Sequence, residues 1–170
     1  LVGSSFSYVD SQAALFFPPA LTCLQLNSSR LTDQDLIHLP RTIIDLYIML
    51  NFRITPSSLS HLPQALTRLN LSQTMTMNNS SITLLPNTIT DLTIPNGDLS
   101  DQAISKLPPR LDVLSITTHA LEPTIDQPWV PFIFDPEHMS KIPFTLKTIK
   151  APIKEPSPLS FHLLERFPPT

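Results

Sequence analysis

The chain has 170 residues, 41% of them hydrophobic, which is sufficient length and apolar content for one domain with its own core. The net charge of -3 argues against nucleic-acid binding, which depends on clustered lysine and arginine, and no apolar run approaches the ~18 residues of a membrane-spanning helix. With 19 prolines but only 2 glycines, glycine-rich phosphate loops are excluded and the prolines require another explanation.

The prolines recur at a regular interval. Six of the pairs in which an apolar residue precedes proline recur in step, and their successive prolines are 22, 23, 23, 22 and 35 residues apart. These prolines are Pro18, Pro40, Pro63, Pro86, Pro108 and Pro143. Three apolar residues follow each of the first five prolines at the same offsets, and a weaker version follows the sixth. A fixed period in this range indicates a repeat protein.

The apolar residues after each proline alternate with polar ones, which predicts a short strand with one buried face. No copy is long enough to form a hairpin with the next, so we expect the strands of successive copies to lie side by side and parallel. One buried column should contain Leu24, Leu46, Leu69, Leu92 and Leu114, and a second should contain Leu26, Ile48, Leu71, Ile94 and Ile116.

The segments between the strands carry apolar residues at helical spacing. In two of them Thr32 and Ser100 precede an aspartate and are typical N-caps, so a short helix is expected after each. Pro56 suits the first turn of a helix in the segment from 54 to 62. The segment 74–85 is rich in Thr, Ser and Asn and is predicted to be an irregular loop or a 3₁₀ turn.

Both ends of the sequence fall inside the repeat pattern. Val2 lies 22 residues before Leu24, which predicts a strand of a preceding copy, and Phe167-Pro168 resembles Phe17-Pro18. We therefore expect residues 1–170 to form one domain that is a fragment of a longer array.

The fifth copy contains an insertion at about 119–140. It holds Trp129, Phe132 and Phe134, which are potential anchors for a partner, because aromatic residues dominate binding energies. Two interpretations remain open: the insertion packs back onto the domain, or it projects as a binding loop. Its acidic residues and His138 match no metal-ligand spacing, so no metal site is expected.

The motif L-P-x-x-[LI]-x-x-L-x-[LI] resembles the leucine-rich repeat, with a Leu-Pro lead-in similar to those of bacterial effector and amoebal repeat proteins. The resemblance implies an α/β solenoid, with a curved parallel sheet on its concave side and short helices, 3₁₀ turns or loops on its convex side. The chain departs from the family at the position that usually holds asparagine. The residues there are Ser29, Asn51, Thr74, Gly97 and His119, so the asparagine ladder is mostly absent and hydroxyl side chains or water must do part of its work.

Partners of leucine-rich repeat proteins bind the concave face, and the resemblance places the residues beside the strand leucines there. Tyr47 and Met49, with Leu50 nearby, form the apolar spot of this face, where we expect a partner's anchor to bind. The predicted binding residues are Gln25, Asn27, Asp45, Tyr47, Met49, Arg68, Asn70, Asp91, Thr93 and Ser115.

Three functions are compatible with these features. The favoured one is a protein-interaction module or scaffold within a larger intracellular protein, without a catalytic site or cofactor. The alternatives are a structural spacer and an enzyme whose site lies in the 119–140 insertion. Cys23 is the only cysteine, so no internal disulfide forms and a cytoplasmic location is expected. Asn-x-Ser sequons keep an extracellular location open.

Overall fold

A computed structural model describes residues 3–7, 13–27, 30–72, 74–75, 77–95, 100–117, 143 and 145–150. The strands within these ranges are β1 Gly3–Ser7, β2 Cys23–Asn27, β3 Asp45–Met49, β4 Arg68–Asn70, β5 Asp91–Pro95, β6 Val113–Thr117 and β7 Thr148–Lys150. The helical turns are the 3₁₀ segments η1 Ala13–Phe16 and η2 Pro56–His61, and the α-helices α1 Asp33–Leu36, α2 Asn79–Ile82 and α3 Asp101–Ile104.

The seven described strands form one sheet in chain order, and every neighbouring pair is parallel. The register pairs Leu24 with Leu46, Leu46 with Leu69, and onward to Leu114, which confirms the first predicted column. Val113 pairs with Thr148 across the 35-residue interval, so the longer connection leaves the sheet register unbroken. The predicted α/β class with a parallel sheet is thus confirmed.

One core lies between the sheet and the segments that lead from each strand to the next, which we call the return segments. The leucines of both strand columns are buried, and Leu31, Leu36 and Leu59 join the same cluster from the return segments. A strand that slipped by one residue would move its leucines to the opposite face, so burial fixes the register.

Each repeat proline begins a tight turn that leads into a strand. The carbonyl oxygen of every one of the six prolines accepts a hydrogen bond from the backbone N–H three residues later, at 3.0–3.3 Å. The third residue after the proline is buried in each case, for example Leu21 and Ile43. Proline is suited to this position because it cannot continue the preceding helix.

Three return segments have the structure predicted from the sequence, and one differs from its prediction. Helices α1 and α3 begin after Thr32 and Ser100 as predicted, and Pro56 occupies the first position of η2. The prediction of an irregular loop or 3₁₀ turn at 74–85 is wrong for residues 79–82, which form α2.

The cause of α2 is a reciprocal cap that offsets the low helix propensity of Ser and Asn. The Asn78 side chain accepts a hydrogen bond from the Ser81 N–H at 2.9 Å, and the Ser81 hydroxyl accepts one from the Asn78 N–H at 3.0 Å. Two backbone donors that a helix start would leave unpaired are thereby satisfied.

The first strand is present, but its register differs from the prediction. Ser4, not Val2, pairs with Leu24, so the first interval is 20 residues and not the 22 inferred from the next repeat. The 22-residue interval of the next repeat does not apply to the first one, because the connection from β1 to β2 is two residues shorter than the connection from β2 to β3. The 119–140 insertion, with Trp129, Phe132 and Phe134, lies outside the described residues, as does Phe167-Pro168.

Candidate protein-binding face

The sheet has one face that packs against the core and one that does not, and we call the second the outer sheet face. It is formed by the side chains that alternate with the buried leucines, as the burial of β2 and β6 illustrates. All ten predicted binding residues lie in strands at such positions. Gln25, Asn27, Tyr47, Met49, Asn70, Asp91, Thr93 and Ser115 are half-buried, Arg68 is exposed and Asp45 is buried.

An ion pair explains why Asp45 is buried on a face that is otherwise accessible. Arg68 on the neighbouring strand donates from Nε to Asp45 Oδ1 at 2.6 Å and from Nη2 to Oδ2 at 2.5 Å. This two-pronged geometry is the strongest arrangement for an arginine and a carboxylate. It raises the pKa of Arg68 above its ordinary value, first through the hydrogen bond and then through the charge of Asp45.

Asp91 lies on the other side of Arg68 in the same cross-strand row, since Arg68 pairs with Asp45 on one strand and with Asp91 on the next. Its negative charge acts on Arg68 only weakly in comparison with Asp45. Among the described residues the Asp91 side chain has no hydrogen-bond or ion-pair partner. The row therefore contains two carboxylates and one guanidinium, and within the described part of the chain Asp91 is the carboxylate without a direct partner.

The apolar spot predicted at Tyr47 and Met49 extends beyond the end of β3. Leu50 is 42% exposed and Phe52 is 64% exposed, and both follow the strand directly. We call Tyr47, Met49, Leu50 and Phe52 the apolar patch. Phe52 was not predicted, because it lies outside the strand and the repeat pattern assigns it no face.

Asn51 explains why two large apolar residues are exposed on either side of it. Its side chain is fully buried, and its Nδ2 donates to the Leu31 carbonyl oxygen of the preceding repeat at 3.1 Å. Its Oδ1 accepts a hydrogen bond from the Arg53 N–H at 2.9 Å. Leu50 has φ = 56°, which is unfavourable for a residue with a branched side chain. The single family-typical asparagine thus turns its neighbours outward.

Threonine hydroxyls connect successive repeats, as expected where the asparagine ladder is missing, but from an unexpected position. Two residues after the repeat proline, Thr42 contacts the carbonyl oxygens of Pro19 and Leu21 at 2.7 and 2.8 Å. Thr88 and Thr145 make the equivalent pair of contacts to their own preceding repeats. The threonine at this position can be read from the sequence, but its acceptors, 21–24 residues earlier for Thr42 and Thr88, cannot.

A second set of contacts connects the return segments. Asp33 accepts hydrogen bonds from the Thr55 backbone N–H at 2.7 Å and from the Thr55 hydroxyl at 2.5 Å. Asn79 at the equivalent helix position accepts one from the Ser100 N–H at 2.7 Å. Pro56 holds this position in η2 and has no acceptor side chain. These contacts keep adjacent return segments aligned behind the outer sheet face.

Within the described ranges, no group of three His, Cys, Asp or Glu side chains is arranged to hold a metal ion. No helix in those same ranges has the length and hydropathy needed to cross a membrane.

The fold is similar to that of one solved leucine-rich repeat protein. The structure of the leucine-rich repeat-containing protein LegL7 from Legionella pneumophila matches with a TM-score of 0.52 and 16% sequence identity. The match covers 86% of this chain and 54% of LegL7, so the chain spans about half of that protein. No protein-family model and no curated protein sequence matches the chain. At this identity the similarity concerns the fold: a repeat protein with a parallel sheet.

Proposed function

We propose that the chain is a leucine-rich repeat solenoid that binds another protein on its outer sheet face, which is the concave side. The close backbone contacts between described elements join neighbours: each strand contacts the adjacent strands, and each helical turn contacts the adjacent turns. This nearest-neighbour arrangement is what a solenoid requires. The similarity to LegL7 supports the same architecture.

The observation that carries the proposal is the composition of the outer sheet face. On this face Tyr47 and Met49 lie beside polar side chains, and the exposed Leu50 and Phe52 follow at the end of β3. Tyr47 and Phe52 are residues of the kind that anchor protein partners. Leu50 is held in an unfavourable conformation that keeps its side chain exposed. Such strain is commonly found where a surface has a function.

The proposed role is binding, without catalysis and without a cofactor, inside a larger intracellular protein. The single half-buried thiol of Cys23 is compatible with a reducing compartment. A spacer role would leave the outer sheet face without a ligand, and it gives no reason for the exposed apolar patch.

A binding measurement tests the proposal. A partner is identified by chemical crosslinking of the full-length protein in its own cells, and its affinity is then measured by calorimetry. We expect Tyr47→Ala combined with Arg68→Ala to weaken binding by more than about 2 kcal/mol, because anchors near the centre of an interface dominate its energy. Circular dichroism verifies that the variant remains folded.

The matched control is Phe16→Ala, since Phe16 is 81% exposed on η1, away from the strands. This variant should bind as the unmodified protein does. Unchanged affinity of the folded Tyr47/Arg68 variant would contradict the proposal and favour a spacer.

A further inference from the structure

The outer sheet face carries an unequal distribution of charge next to the apolar patch. Arg68 is already paired with Asp45 through two hydrogen bonds, so its attraction for a partner's carboxylate is reduced. Asp91 is half-buried and has no direct partner among the described residues. The row of Asp45, Arg68 and Asp91 contains one more carboxylate than it contains cations. Among the described residues, Asp91 is the carboxylate that remains available, and it lies on the side of Arg68 opposite to Asp45.

None of the other described cations forms an ion pair with Asp91. Lys147 donates to Asp112 at 3.3 Å and is engaged outside the row. Lys150 lies in β7, two strands beyond Asp91 and two residues further along, because it pairs with Ser115. Ideal sheet spacing puts their Cα atoms ~12 Å apart, and no ion pair joins these two described side chains.

We infer that the partner's binding segment presents a basic residue to Asp91 together with an apolar residue that covers the patch of Tyr47, Met49, Leu50 and Phe52. The inference rests on the proposed function and specifies the chemistry of the partner. A half-buried carboxylate gains more from a cation than an exposed one, since less water competes for it. Complementary charge also determines which partners are accepted.

The sheet geometry sets the spacing between the two recognition elements. Asp91 and Tyr47 lie two strands apart and two residues apart along the strand direction. With ~4.8 Å between strands and ~3.3 Å per residue, the separation is ~12 Å. An extended segment crosses this distance in about four residues. The preferred segment therefore has an aromatic or aliphatic residue and, about four positions away, a lysine or arginine.

Peptide binding to the whole chain tests the inference. Two pools of short synthetic peptides share an aromatic or leucine anchor at one position. About four residues away, one pool carries lysine or arginine and the other carries glutamate. We expect the basic pool to bind about fivefold more tightly by fluorescence polarisation, in line with a partly screened ion pair. Asp91→Asn should abolish this difference, and Phe52→Ser should weaken both pools about tenfold.

Two variants serve as matched controls, and both should leave the affinities unchanged. Asp112→Asn removes the same charge from a carboxylate that already has Lys147, and Phe16→Ser removes an exposed phenylalanine away from the sheet.

Equal affinity of the two pools, no measurable binding of either, or a preference that survives Asp91→Asn would overturn the inference. If the pools bind equally but Phe52→Ser still weakens them, the charge inference fails while the proposed binding face stands. If binding is insensitive to Phe52→Ser and to Tyr47→Ala, the proposed face itself is wrong.

Discussion

At the scale of single residues, the most informative position is Leu50. Its positive φ costs about 1–2 kcal/mol in a residue other than glycine. The conformation persists because the neighbouring Asn51 is fully buried and donates to the Leu31 carbonyl oxygen of the preceding repeat. The chain therefore retains an unfavourable residue at a point where a glycine would be more stable.

Replacing Leu50 by glycine should separate stability from binding. We expect Leu50→Gly to raise the free energy of unfolding by about 0.5 kcal/mol, because the relief of strain exceeds the added entropy of the unfolded chain. The same variant should weaken partner binding, because the apolar patch loses a side chain. Urea denaturation and calorimetry provide the two measurements. A clear loss of stability would show that Leu50 contributes packing and not strain.

At the scale of elements, the threonine contacts between repeats occur at alternate junctions. Thr42, Thr88 and Thr145 connect their repeats to the preceding ones through paired carbonyl contacts. Ala65 and Arg110 occupy the equivalent positions at the two junctions in between. The junction before β4 has the Asp45–Arg68 ion pair instead. Removal of a threonine hydroxyl from a junction that has one should lower the free energy of unfolding. Addition of a hydroxyl at a junction that lacks one should raise it.

Loss of the Thr88 hydroxyl should destabilise the fold. We expect Thr88→Val to lower the free energy of unfolding by about 1 kcal/mol, since the hydroxyl lies 2.9 and 2.7 Å from two carbonyl oxygens of the preceding repeat. Urea denaturation measures the change. Thr83→Val is the control, because the Thr83 hydroxyl contacts only Ser80 in its own turn and should have a smaller effect. Equal losses would refute a special role for the junction contact.

Addition of a hydroxyl at the exposed Ala65 should have the opposite effect. By analogy with Thr88, the new side chain in Ala65→Thr should reach the carbonyl oxygens of Arg41 and Ile43. We expect the free energy of unfolding to rise by about 0.5–1 kcal/mol. Thermal and urea denaturation measure it. A fall in stability would mean that the two junctions differ in backbone geometry as well as in side chain.

At the scale of the whole molecule, the described elements contact only their neighbours in the array. In such an arrangement a local defect is felt by adjacent repeats and fades with distance, whereas a globular core distributes it. The buried leucine columns transmit the effect, since each leucine packs between its equivalents on the neighbouring strands.

Truncation of one buried leucine tests this behaviour. We expect Leu46→Ala to cost about 2–5 kcal/mol, because the side chain is fully buried and leaves a cavity. Hydrogen exchange monitored by mass spectrometry should accelerate in β2, β3 and β4 while β6 keeps its protection. Uniform acceleration across the sheet would show that the array unfolds as a single cooperative unit.

What the sequence by itself determined is the register of strands β2 to β7 and the identity of the core, whereas the predicted register of β1 was wrong. Period-two alternation and a proline every 22–23 residues suffice, because only one parallel register buries every leucine. The residues of the outer sheet face follow from the same register. The boundaries of the 119–140 insertion come from the spacing of the prolines alone. Periodicity predicts nothing about the structure of the insertion.

The tertiary structure alone decided which polar groups meet across repeats. Asp45 is buried by an arginine 23 residues away, and Asp33 accepts from Thr55 22 residues away. The exposure of Phe52 follows in the same way from the Asn51 contact with Leu31. Apolar burial is insensitive to the exact neighbour and can be read from periodicity. A hydrogen bond depends on the position of one particular atom, which exists only after the repeats have stacked.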